Sequence, residues 1–426
     1  MKIAIVGAGY VGLSTGLGLA SKKHLVICID IDKEKIEKIN RGILPIYEDG
    51  MEKLLKKHRG LNFKVSTDIS DSKDAEIIFI CVGTPTDEKG KMNLNYLKAA
   101  AKSTAGIIDK KHKTIVVKST VLPGTTEEIL LPIIEKESGK KVGKDFGLCS
   151  NPEFLREGAA LKDFLGPDRI IIGEYDKKSG DILEKLYRDF NSPTIRTNIK
   201  TAEMIKMASN AFLSTKISFI NEIGNICKKL EIDTYEVSRG IGYDKRIAPY
   251  FLDSGVGFGG SCFTKDIKSL IEKAREMNYD PKLLKSVTEI NTLQKIIIID
   301  LLTKKIGDLK NKKIVVLGLA FKAGTDDIRE APSIDIIRIL LEKKARIHTF
   351  DPKAQDNMKK IFNEITYSKS AKEALDKADA CLILTEWPEF TKLTDKDFSV
   401  MKNKTIIEGR RILDKGKVSN FEGICW

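Results

Sequence analysis

The chain has 426 residues, which is enough for two or three domains with complete hydrophobic cores. Its 42% hydrophobic content is that of a globular protein, and no apolar run approaches the length of a membrane span. The net charge of +13 comes from lysines and arginines spread among 60 acidic residues, so we expect a solvated surface that could steer an anionic ligand, and neither a nucleic-acid nor a membrane partner.

A dinucleotide-binding fingerprint stands at the start of the chain. The apolar run Ile3–Val6 predicts a strand, and Gly7, Gly9 and Gly12 follow in the G-x-G-x-x-G pattern before a predicted helix. In this pattern the first glycine allows a tight turn, the second lets a pyrophosphate approach the backbone, and the third lets helix and strand pack closely. The next predicted strand ends in Asp30, where an acid binds the adenosine ribose and repels the 2′-phosphate of NADP. We therefore expect NAD here; the alternative is a glycine turn that binds no nucleotide.

Strand-like and helical stretches alternate up to about residue 190, as in a parallel sheet with helices on both faces. The apolar runs 75–82 and 114–118 lead into two turns, Gly83–Thr86 and Ser119–Gly124. Ligands of such sheets bind at the carboxyl ends of the strands, so both turns are candidate binding loops.

Two polar pairs with a spacing of four residues come next. Glu153 and Glu157 would share one face of a helix. Lys206 and Asn210 place a cation one turn from an amide, which suits the binding of an oxyanion or a hydroxyl. Taken alone, either pair is also explained by a solvent-facing helix stripe.

The middle of the chain, from Thr201 to about Asn278, is predicted to be helical. Residues Ala202–Cys227 keep helical spacing over about seven turns without a proline. Helices of this length in globular proteins usually bridge domains or pair with a partner chain.

Cys262 is the candidate nucleophile. It lies in the glycine-rich segment Gly257–Asp266, with Lys265 three residues on and Asp266 four residues on. The glycines would let a substrate approach the backbone, and a cationic neighbour lowers the pKa of a thiol, whose thiolate is the nucleophile. The alternative is a buried cysteine that acts only as a small hydrophobic residue.

A second α/β pattern follows. The strand-like run Lys313–Leu317 leads into Gly318, Pro332 is placed to start a helix, and the run 345–350 ends in Asp351. This order of strand, glycine turn, helix, strand and acid repeats that of the first domain without its G-x-G-x-x-G pattern. We expect phosphate-binding geometry at these strand ends but no second NAD.

Several other kinds of site are disfavoured. The seven cysteines are scattered, which indicates neither a disulfide framework nor a metal site and fits a reducing cytoplasm. Because the first predicted strand starts at Lys2, we expect no signal peptide. The four histidines lie outside every motif, which argues against a His-Asp dyad, and none of the ten tyrosines has a lysine four residues later, which argues against a short-chain epimerase.

Seven motifs occur in the order found in the UDP-glucose/GDP-mannose dehydrogenase family: Gly7–Gly12, Gly83–Pro85, Ser119–Gly124, Asn151–Glu157, Ala202–Lys206 with Asn210, Gly259–Asp266 and Ala320–Lys322. The chain resembles this family over nearly its whole length. The resemblance implies oxidation of the primary alcohol of a nucleotide sugar to a carboxylate with two NAD, without release of the aldehyde.

The resemblance also implies roles for the motif residues. Cys262 would trap the aldehyde as a thiohemiacetal and then carry it as a thioester. Lys206 and Asn210 would stabilise the oxyanion, and Asp266 would orient a water. Contacts with water, the proton and the sugar ring would come from Thr120, Glu153 and Glu157. The implied NAD contacts are Gly7, Gly9, Tyr10, Val11, Gly12, Asp30, Lys35, Thr84, Thr120, Glu157, Lys265 and Arg329. The implied sugar-nucleotide contacts are Glu153, Phe154, Leu155, Lys206, Asn210, Arg246, Tyr250, Phe258, Gly259, Phe321 and Lys322.

The implied fold is α/β, with two Rossmann-like doubly wound domains joined by a central helical region that contains a long bridging helix. Residues 1–195 would form the NAD-binding domain, 196–300 a helical linker and dimerisation domain, and 301–426 the sugar-nucleotide-binding domain. The family pairs such a helix across a two-fold axis. We therefore expect a homodimer, in which Arg246 could reach the substrate site of a neighbouring subunit.

UDP-glucose is the expected substrate, with GDP-mannose or a UDP-N-acetylhexosamine as alternatives. Residues 244–247, 385–387 and 408–414 look like the UDP-glucose enzymes, whereas 138–210, 321–327 and 422–426 are also similar to GDP-mannose dehydrogenases. A further alternative is an inactive protein that only senses NAD, although the intact Cys262, Lys206 and Asp266 argue against it.

Overall fold

The computed structural model of the chain describes residues 1–87, 90–109 and 111–426. They form two compact units. The first unit contains Met1–Ser209 and Lys268–Lys273, and the second contains Asn210–Ile267 and Ala274–Trp426.

The sheet of the first unit has eight strands in the described residues: β1 (Lys2–Val6), β2 (Leu25–Ile29), β3 (Phe63–Ser66), β4 (Ile77–Ile80), β5 (Lys113–Val117), β6 (Phe146–Ser150), β7 (Ile170–Glu174) and β8 (Thr194–Asn198). Their order is β3-β2-β1-β4-β5-β6-β7-β8. Neighbouring strands are parallel except β6 and β7, which run antiparallel.

Both faces of this sheet are covered. Along β1, Ile3 and Ile5 pack into one apolar cluster, whereas Ala4 and Val6 pack into another on the opposite face. A strand that is buried on both faces reads as a continuous apolar run, which is why the central strands could be recognised in the sequence.

The sheet of the second unit has six strands in the described residues: β9 (Lys313–Leu317), β10 (Arg346–Phe350), β11 (Thr366–Tyr367), β12 (Ala380–Ile383), β13 (Ile406–Glu408) and β14 (Glu422–Gly423). Their order is β11-β10-β9-β12-β13-β14, with all pairs parallel. This is the 3-2-1-4-5-6 order of a Rossmann fold, and the first six strands of the first unit follow the same order. The prediction of two doubly wound domains is confirmed.

The α-helices in the described residues are α1 (Tyr10–Ser21), α2 (Lys33–Asn40), α3 (Met51–His58), α4 (Asn95–Ala105), α5 (Leu131–Ser138), α6 (Ala160–Leu165), α7 (Lys177–Tyr187), α8 (Ile199–Lys229), α9 (Thr234–Gly242), α10 (Phe263–Glu276), α11 (Lys282–Ile306), α12 (Pro332–Glu342), α13 (Gln355–Met358), α14 (Ala371–Leu375) and α15 (Asp395–Phe398). A π-helical turn spans Thr125–Leu130, and 3₁₀ turns span Ile69–Ser72, Arg188–Phe190 and Phe390–Lys392.

The predicted long helix is present as α8, which has 31 residues, and α12 starts at Pro332 as predicted. The prediction of continuous helical structure to Asn278 is wrong for residues 243–262, which are irregular. Gly257 and Gly260 have φ values of +92° and +85° there, which a helix does not allow. Among the described helices, none combines the length and apolarity needed to cross a lipid bilayer.

Candidate active site

The glycine turn after β1 has the geometry of a dinucleotide site. Gly7 has a φ of +106°, and a Cβ on Gly12 would lie 1.8 Å from the Gly7 carbonyl oxygen, so helix α1 can approach β1 only with glycine there. A Cβ on Gly9 would meet nothing within 4 Å, so the space beside this residue is open. Gly9 is the N-cap of α1, whose first N–H groups can bind a phosphate. The turn fits the pyrophosphate of NAD.

Asp30 lies at the end of β2 beside this turn. Its carboxylate accepts the N–H groups of Ala8 at 2.7 Å and Asp32 at 3.0 Å, and the Lys35 ammonium at 3.0 Å. Burial alone would raise the pKa of Asp30, but these backbone hydrogen bonds and Lys35 outweigh it and hold the pKa below its usual range. The group is therefore an ionised acceptor, suited to a ribose hydroxyl.

The other predicted NAD contacts are divided between the two units. Tyr10 begins α1 and its hydroxyl donates to the Tyr47 carbonyl at 3.4 Å, and the Thr84 hydroxyl donates to the Thr120 carbonyl at 2.8 Å. Val11, Lys35 and Glu157 also belong to the first unit, whereas Lys265 and Arg329 belong to the second.

Glu153 and Glu157 do not lie on a helix, so the prediction that they share a helical face is wrong. The segment from Asn151 to Arg156 is irregular. Pro152 lacks an N–H, and the Glu153 carboxylate accepts the N–H of Leu155, which gives the backbone a local alternative to a helix.

The Glu153 carboxylate forms a buried ion pair with Lys206 of α8. The two charged groups are 3.3 Å apart, and the side chains are only 6% and 5% exposed. The Lys206 ammonium also lies 5.3 Å from the centre of the Phe154 ring. In the first unit, the structure thus brings together three of the predicted substrate residues.

Arg169 was missed by the sequence analysis, although it contacts this group. Its guanidinium lies 3.9 Å from the centre of the Phe154 ring and donates to the Ser209 hydroxyl of α8 at 3.2 Å. Because β7 runs antiparallel to β6, its first residues lie at the same edge of the sheet as Asn151. The direction of β7 has no signal in the local sequence, so this contact could not be predicted.

In the second unit, Cys262 is the N-cap residue of α10 and its sulfur lies 3.7 Å from the Ser261 hydroxyl. Its carbonyl accepts the Asp266 N–H at 2.9 Å, which closes the first turn of the helix. A helix N-terminus carries partial positive charge and favours a thiolate. The start of α10 is therefore a physical source of activation for Cys262.

Asp266 is buried and held from two sides. Asn210 of α8 donates its side-chain amide to one carboxylate oxygen at 2.6 Å, and the Lys265 ammonium contacts the other at 2.6 Å. The structure thus brings together Asn210, Lys265 and Asp266, one helical turn from Cys262. Lys265, which the sequence offered as the cationic neighbour of the Cys262 thiol, contacts the Asp266 carboxylate.

The glycines around Cys262 allow close packing within the second unit. A Cβ on Gly257 would lie 2.5 Å from the Asn291 side chain, and one on Gly259 would lie 2.4 Å from the Glu330 carbonyl. A Cβ on Gly260 would lie 2.8 Å from the Phe321 ring. These distances explain why glycine occupies the three positions, and the approach of a substrate to this loop stays a prediction.

The remaining predicted sugar-nucleotide contacts differ in exposure. Phe258 is buried and packs edge-on against Phe263, with ring centres 5.8 Å apart. The Lys322 ammonium lies 5.5 Å from the centre of the Phe321 ring. Arg246 and Tyr250 are exposed, and the Arg246 guanidinium forms an ion pair with Asp244 at 2.6 Å. Leu155 packs against the apolar core of the first unit.

Comparison with known proteins identifies the family. Three family models match in order: the NAD binding domain of the UDP-glucose/GDP-mannose dehydrogenase family over residues 1–191, its central domain over 200–293 and its UDP binding domain over 315–415. The chain is 40% identical to the UDP-glucose 6-dehydrogenase AglM of Haloferax volcanii, with 100% of each chain covered.

Solved structures agree with this result. The UDP-glucose dehydrogenase of Pyrobaculum islandicum is 35% identical and superimposes with a TM-score of 0.94, covering 100% of this chain and 98% of the other. The UDP-D-ManNAc dehydrogenase of Pyrococcus horikoshii is 31% identical, with a TM-score of 0.89 and coverage of 100% and 99%. The chain belongs to the UDP-glucose/GDP-mannose dehydrogenase family.

Proposed function

We propose that the chain oxidises the C6 primary alcohol of UDP-glucose to the carboxylate of UDP-glucuronate, with NAD as the oxidant in both oxidation steps. The observation that carries this proposal is the 40% identity, over the full length of both chains, with a relative named UDP-glucose 6-dehydrogenase. The match of residues 315–415 to a UDP binding domain supports a nucleotide sugar as the substrate.

NAD would be held by the glycine turn and Asp30 of the first unit. When bound, NAD accepts a hydride from the carbon that is oxidised. The Asp30 carboxylate would accept a hydrogen bond from the adenosine ribose and repel a 2′-phosphate, so we expect NAD to be preferred over NADP.

Cys262 would keep the reacting carbon bound between the two oxidations. Its sulfur would add to the carbonyl carbon of the aldehyde, forming a C–S bond and a thiohemiacetal. The thiohemiacetal would become a thioester when its carbon gives a hydride to a second NAD and its hydroxyl loses a proton. A water would then attack the same carbon and lose a proton, the C–S bond would break, and the electron pair would return to sulfur as the carboxylate forms.

The residues around these steps would supply charge and orientation. Lys206 and Asn210, one turn apart on α8, carry the N–H donors that would stabilise the oxyanion. Asp266 has both oxygens engaged and would orient the water. Glu153, with Glu157 and Thr120, would contact the water, the proton and the sugar ring.

A substrate panel tests the proposal. UDP-glucose, GDP-mannose and a UDP-N-acetylhexosamine are compared by NADH formation, and we expect UDP-glucose to have the highest kcat/KM with two NADH formed per sugar. One NADH per sugar, or a higher kcat/KM for either alternative sugar nucleotide, would contradict it.

Replacement of the nucleophile tests the covalent step. Cys262→Ser should bind NAD and UDP-glucose but form UDP-glucuronate more slowly by on the order of 10³-fold, because a hydroxyl is far less readily ionised than a thiol. Cys381→Ala, which removes a fully buried thiol from β12 of the same unit, is the matched control and should keep its activity. Acid formation by Cys262→Ser near the wild-type rate would exclude Cys262 as the nucleophile.

We also propose that the chain forms a homodimer through α8. Phe212, Phe219 and Ile226 recur every seven residues, lie on one face of the helix and are all exposed. A contiguous apolar stripe on a helix face is typical of an interaction surface, and identical chains most often pair about a two-fold axis.

Light scattering across a dilution series tests the dimer. Phe219→Glu should shift the population toward monomer, because it places a charge in the centre of the stripe. Leu61→Glu, which changes an exposed apolar residue outside α8, is the control. A wild-type chain that is monomeric at micromolar concentration would refute the dimer. The reducing cytoplasm is the proposed location, because the seven cysteines are scattered through the sequence and indicate no disulfide framework.

A further inference from the structure

Strand β5 has a buried lysine at each end. Lys113 begins the strand and Lys118 follows its last residue, and they are only 1% and 4% exposed. Lysine is almost never buried to this extent unless its ammonium is paired. The two residues therefore need specific partners, and those partners differ.

Lys113, at the amino end of β5, is bound by backbone. Its ammonium donates to the carbonyls of Lys73 and Ala75 and lies 3.6 Å from the Asp109 carboxylate. The proposed site residues at the carboxyl ends of the strands do not contact it. Lys113 therefore joins the amino end of β5 to the backbone of residues 73 and 75.

Lys118, at the carboxyl end, is bound by Asn151. Its ammonium donates to the side-chain oxygen of Asn151 at 2.9 Å and to its carbonyl at 3.3 Å. The Tyr187 hydroxyl donates to the same side-chain oxygen at 2.6 Å, and the Asn151 amide donates to the Ile171 carbonyl at 2.7 Å. Since the Asn151 N–H is also bound, by the Val117 carbonyl at 2.9 Å, every polar group of Asn151 is held.

Asn151 is followed directly by Pro152 and Glu153. Because the φ of proline is restricted, a fixed Asn151 limits where the Glu153 carboxylate can lie. Lys118 therefore helps to hold the buried Glu153–Lys206 ion pair in place, because it binds Asn151 and the chain then passes through Pro152 to Glu153.

Electrostatics link the same groups. Burial lowers the pKa of Lys118 to about 8, the Glu153 carboxylate acts to raise it, and the Lys206 ammonium acts to lower it. Burial raises the pKa of the neighbouring Cys81 thiol to about 12, so this thiol is neutral at pH 7. Glu153 thus interacts with two buried ammonium groups, one of which makes no proposed contact with the substrate.

We propose that Lys118 is a positioning residue for the oxidation at C6: through Asn151 it fixes the Glu153 carboxylate against Lys206. This inference rests on the proposed function. The proposed role distinguishes Lys118 from Lys113, a lysine that is equally buried at the other end of β5 but is not linked to Glu153.

The test compares Lys118→Met with Lys113→Met. Both variants remove a buried ammonium from β5, so both should lower the Tm. At a temperature where both are folded, Lys118→Met should have a kcat with UDP-glucose about 100-fold lower, because misplaced reacting groups cost about this much. Its KM for NAD should stay within about twofold of wild type, and Lys113→Met should keep a kcat within about twofold of wild type.

A rescue experiment gives a second readout that a purely structural role would not change. Lys118→Ala leaves a cavity, and added methylammonium should restore part of its kcat, whereas the same concentration of sodium chloride should not. If Lys118→Met is not recovered folded, Tyr187→Phe decides, because it keeps the ring and removes only the hydroxyl that donates to Asn151. A kcat of Tyr187→Phe equal to that of wild type would then overturn the proposal.

The outcomes separate the two proposals. Wild-type protein that forms no NADH from UDP-glucose refutes the proposed function and, with it, the role of Lys118. If the wild type is active and Lys118→Met and Lys113→Met have equal kcat values, only the role of Lys118 is refuted. An equal rise of the KM for NAD and the KM for UDP-glucose in Lys118→Met would also refute only that role.

Discussion

The two Rossmann folds of this chain place an aspartate at the same position and surround it with different hydrogen-bond donors. Asp30 follows β2 in the first unit and Asp351 follows β10 in the second. The strand beside each is followed by a glycine of positive φ, Gly7 at +106° and Gly318 at +94°. Equal topology has thus produced two equivalent carboxylates.

Their hydrogen bonds differ. Asp351 accepts five N–H donors: four backbone N–H groups, of Leu319, Ala320, Lys353 and Ala354, and the Trp387 indole. Asp30 accepts two backbone N–H groups and a lysine that is partly exposed. A carboxylate that the protein saturates cannot bind a ribose, so a Rossmann topology alone does not indicate an NAD site.

The largest expected effect is on the stability of the second unit. Asp351→Ala leaves several buried N–H donors without an acceptor, and we expect the free energy of unfolding to fall by about 4 kcal/mol or more. Urea unfolding measures it. A loss below about 1 kcal/mol would mean that water replaces the carboxylate and that the two aspartates are more alike than their contacts indicate.

In the described residues, each unit also has a buried glutamate whose pKa is raised. Burial raises the pKa of Glu203 in the first unit and of Glu408 in the second to about 7, although each accepts two backbone N–H groups. Since an unfolded glutamate titrates near ~4.3, the folded chain binds more protons between these values and loses stability as the pH rises through this window.

Glu203→Gln and Glu408→Gln test this titration. Because an amide cannot ionise, each variant should lose less stability than wild type between pH 5 and pH 8, by up to about 3 kcal/mol. Urea unfolding at both pH values gives the difference. An unchanged pH dependence in one variant would show that only the other unit carries a buried acid of this kind.

The smallest expected effect is on the binding of NAD, which distinguishes Asp30 from Asp351. Asp30→Ala should lower the affinity for NAD by about 10- to 30-fold and the affinity for NADP by less, because one charged hydrogen bond to the ribose is lost. Its free energy of unfolding should change by less than that of Asp351→Ala. Equal use of NAD and NADP by the unmodified chain would remove the basis for this role.

The parts of the fold that were predicted correctly depend on local pattern. The glycines after β1, the uninterrupted α8 and Pro332 at the start of α12 are each specified by neighbours in the sequence. The expected helix at Glu153 is absent because a proline and a side chain of that segment compete for its backbone bonds. The roles of Lys118 and Arg169 could not be predicted, because their partners Asn151 and Phe154 are distant in sequence. The position of Arg169 also depends on the direction of β7.

The buried lysines at the two ends of β5 also provide a way to detect transient opening of the first sheet. Exposed amines react readily with acylating reagents, but Lys113 and Lys118 are screened from solvent while the sheet is closed. Modification of these two lysines, followed by mass spectrometry, would therefore record transient openings of the sheet rather than reaction at the surface. Because the two amines lie at opposite ends of one strand, the order in which they react would show which end of the sheet opens first.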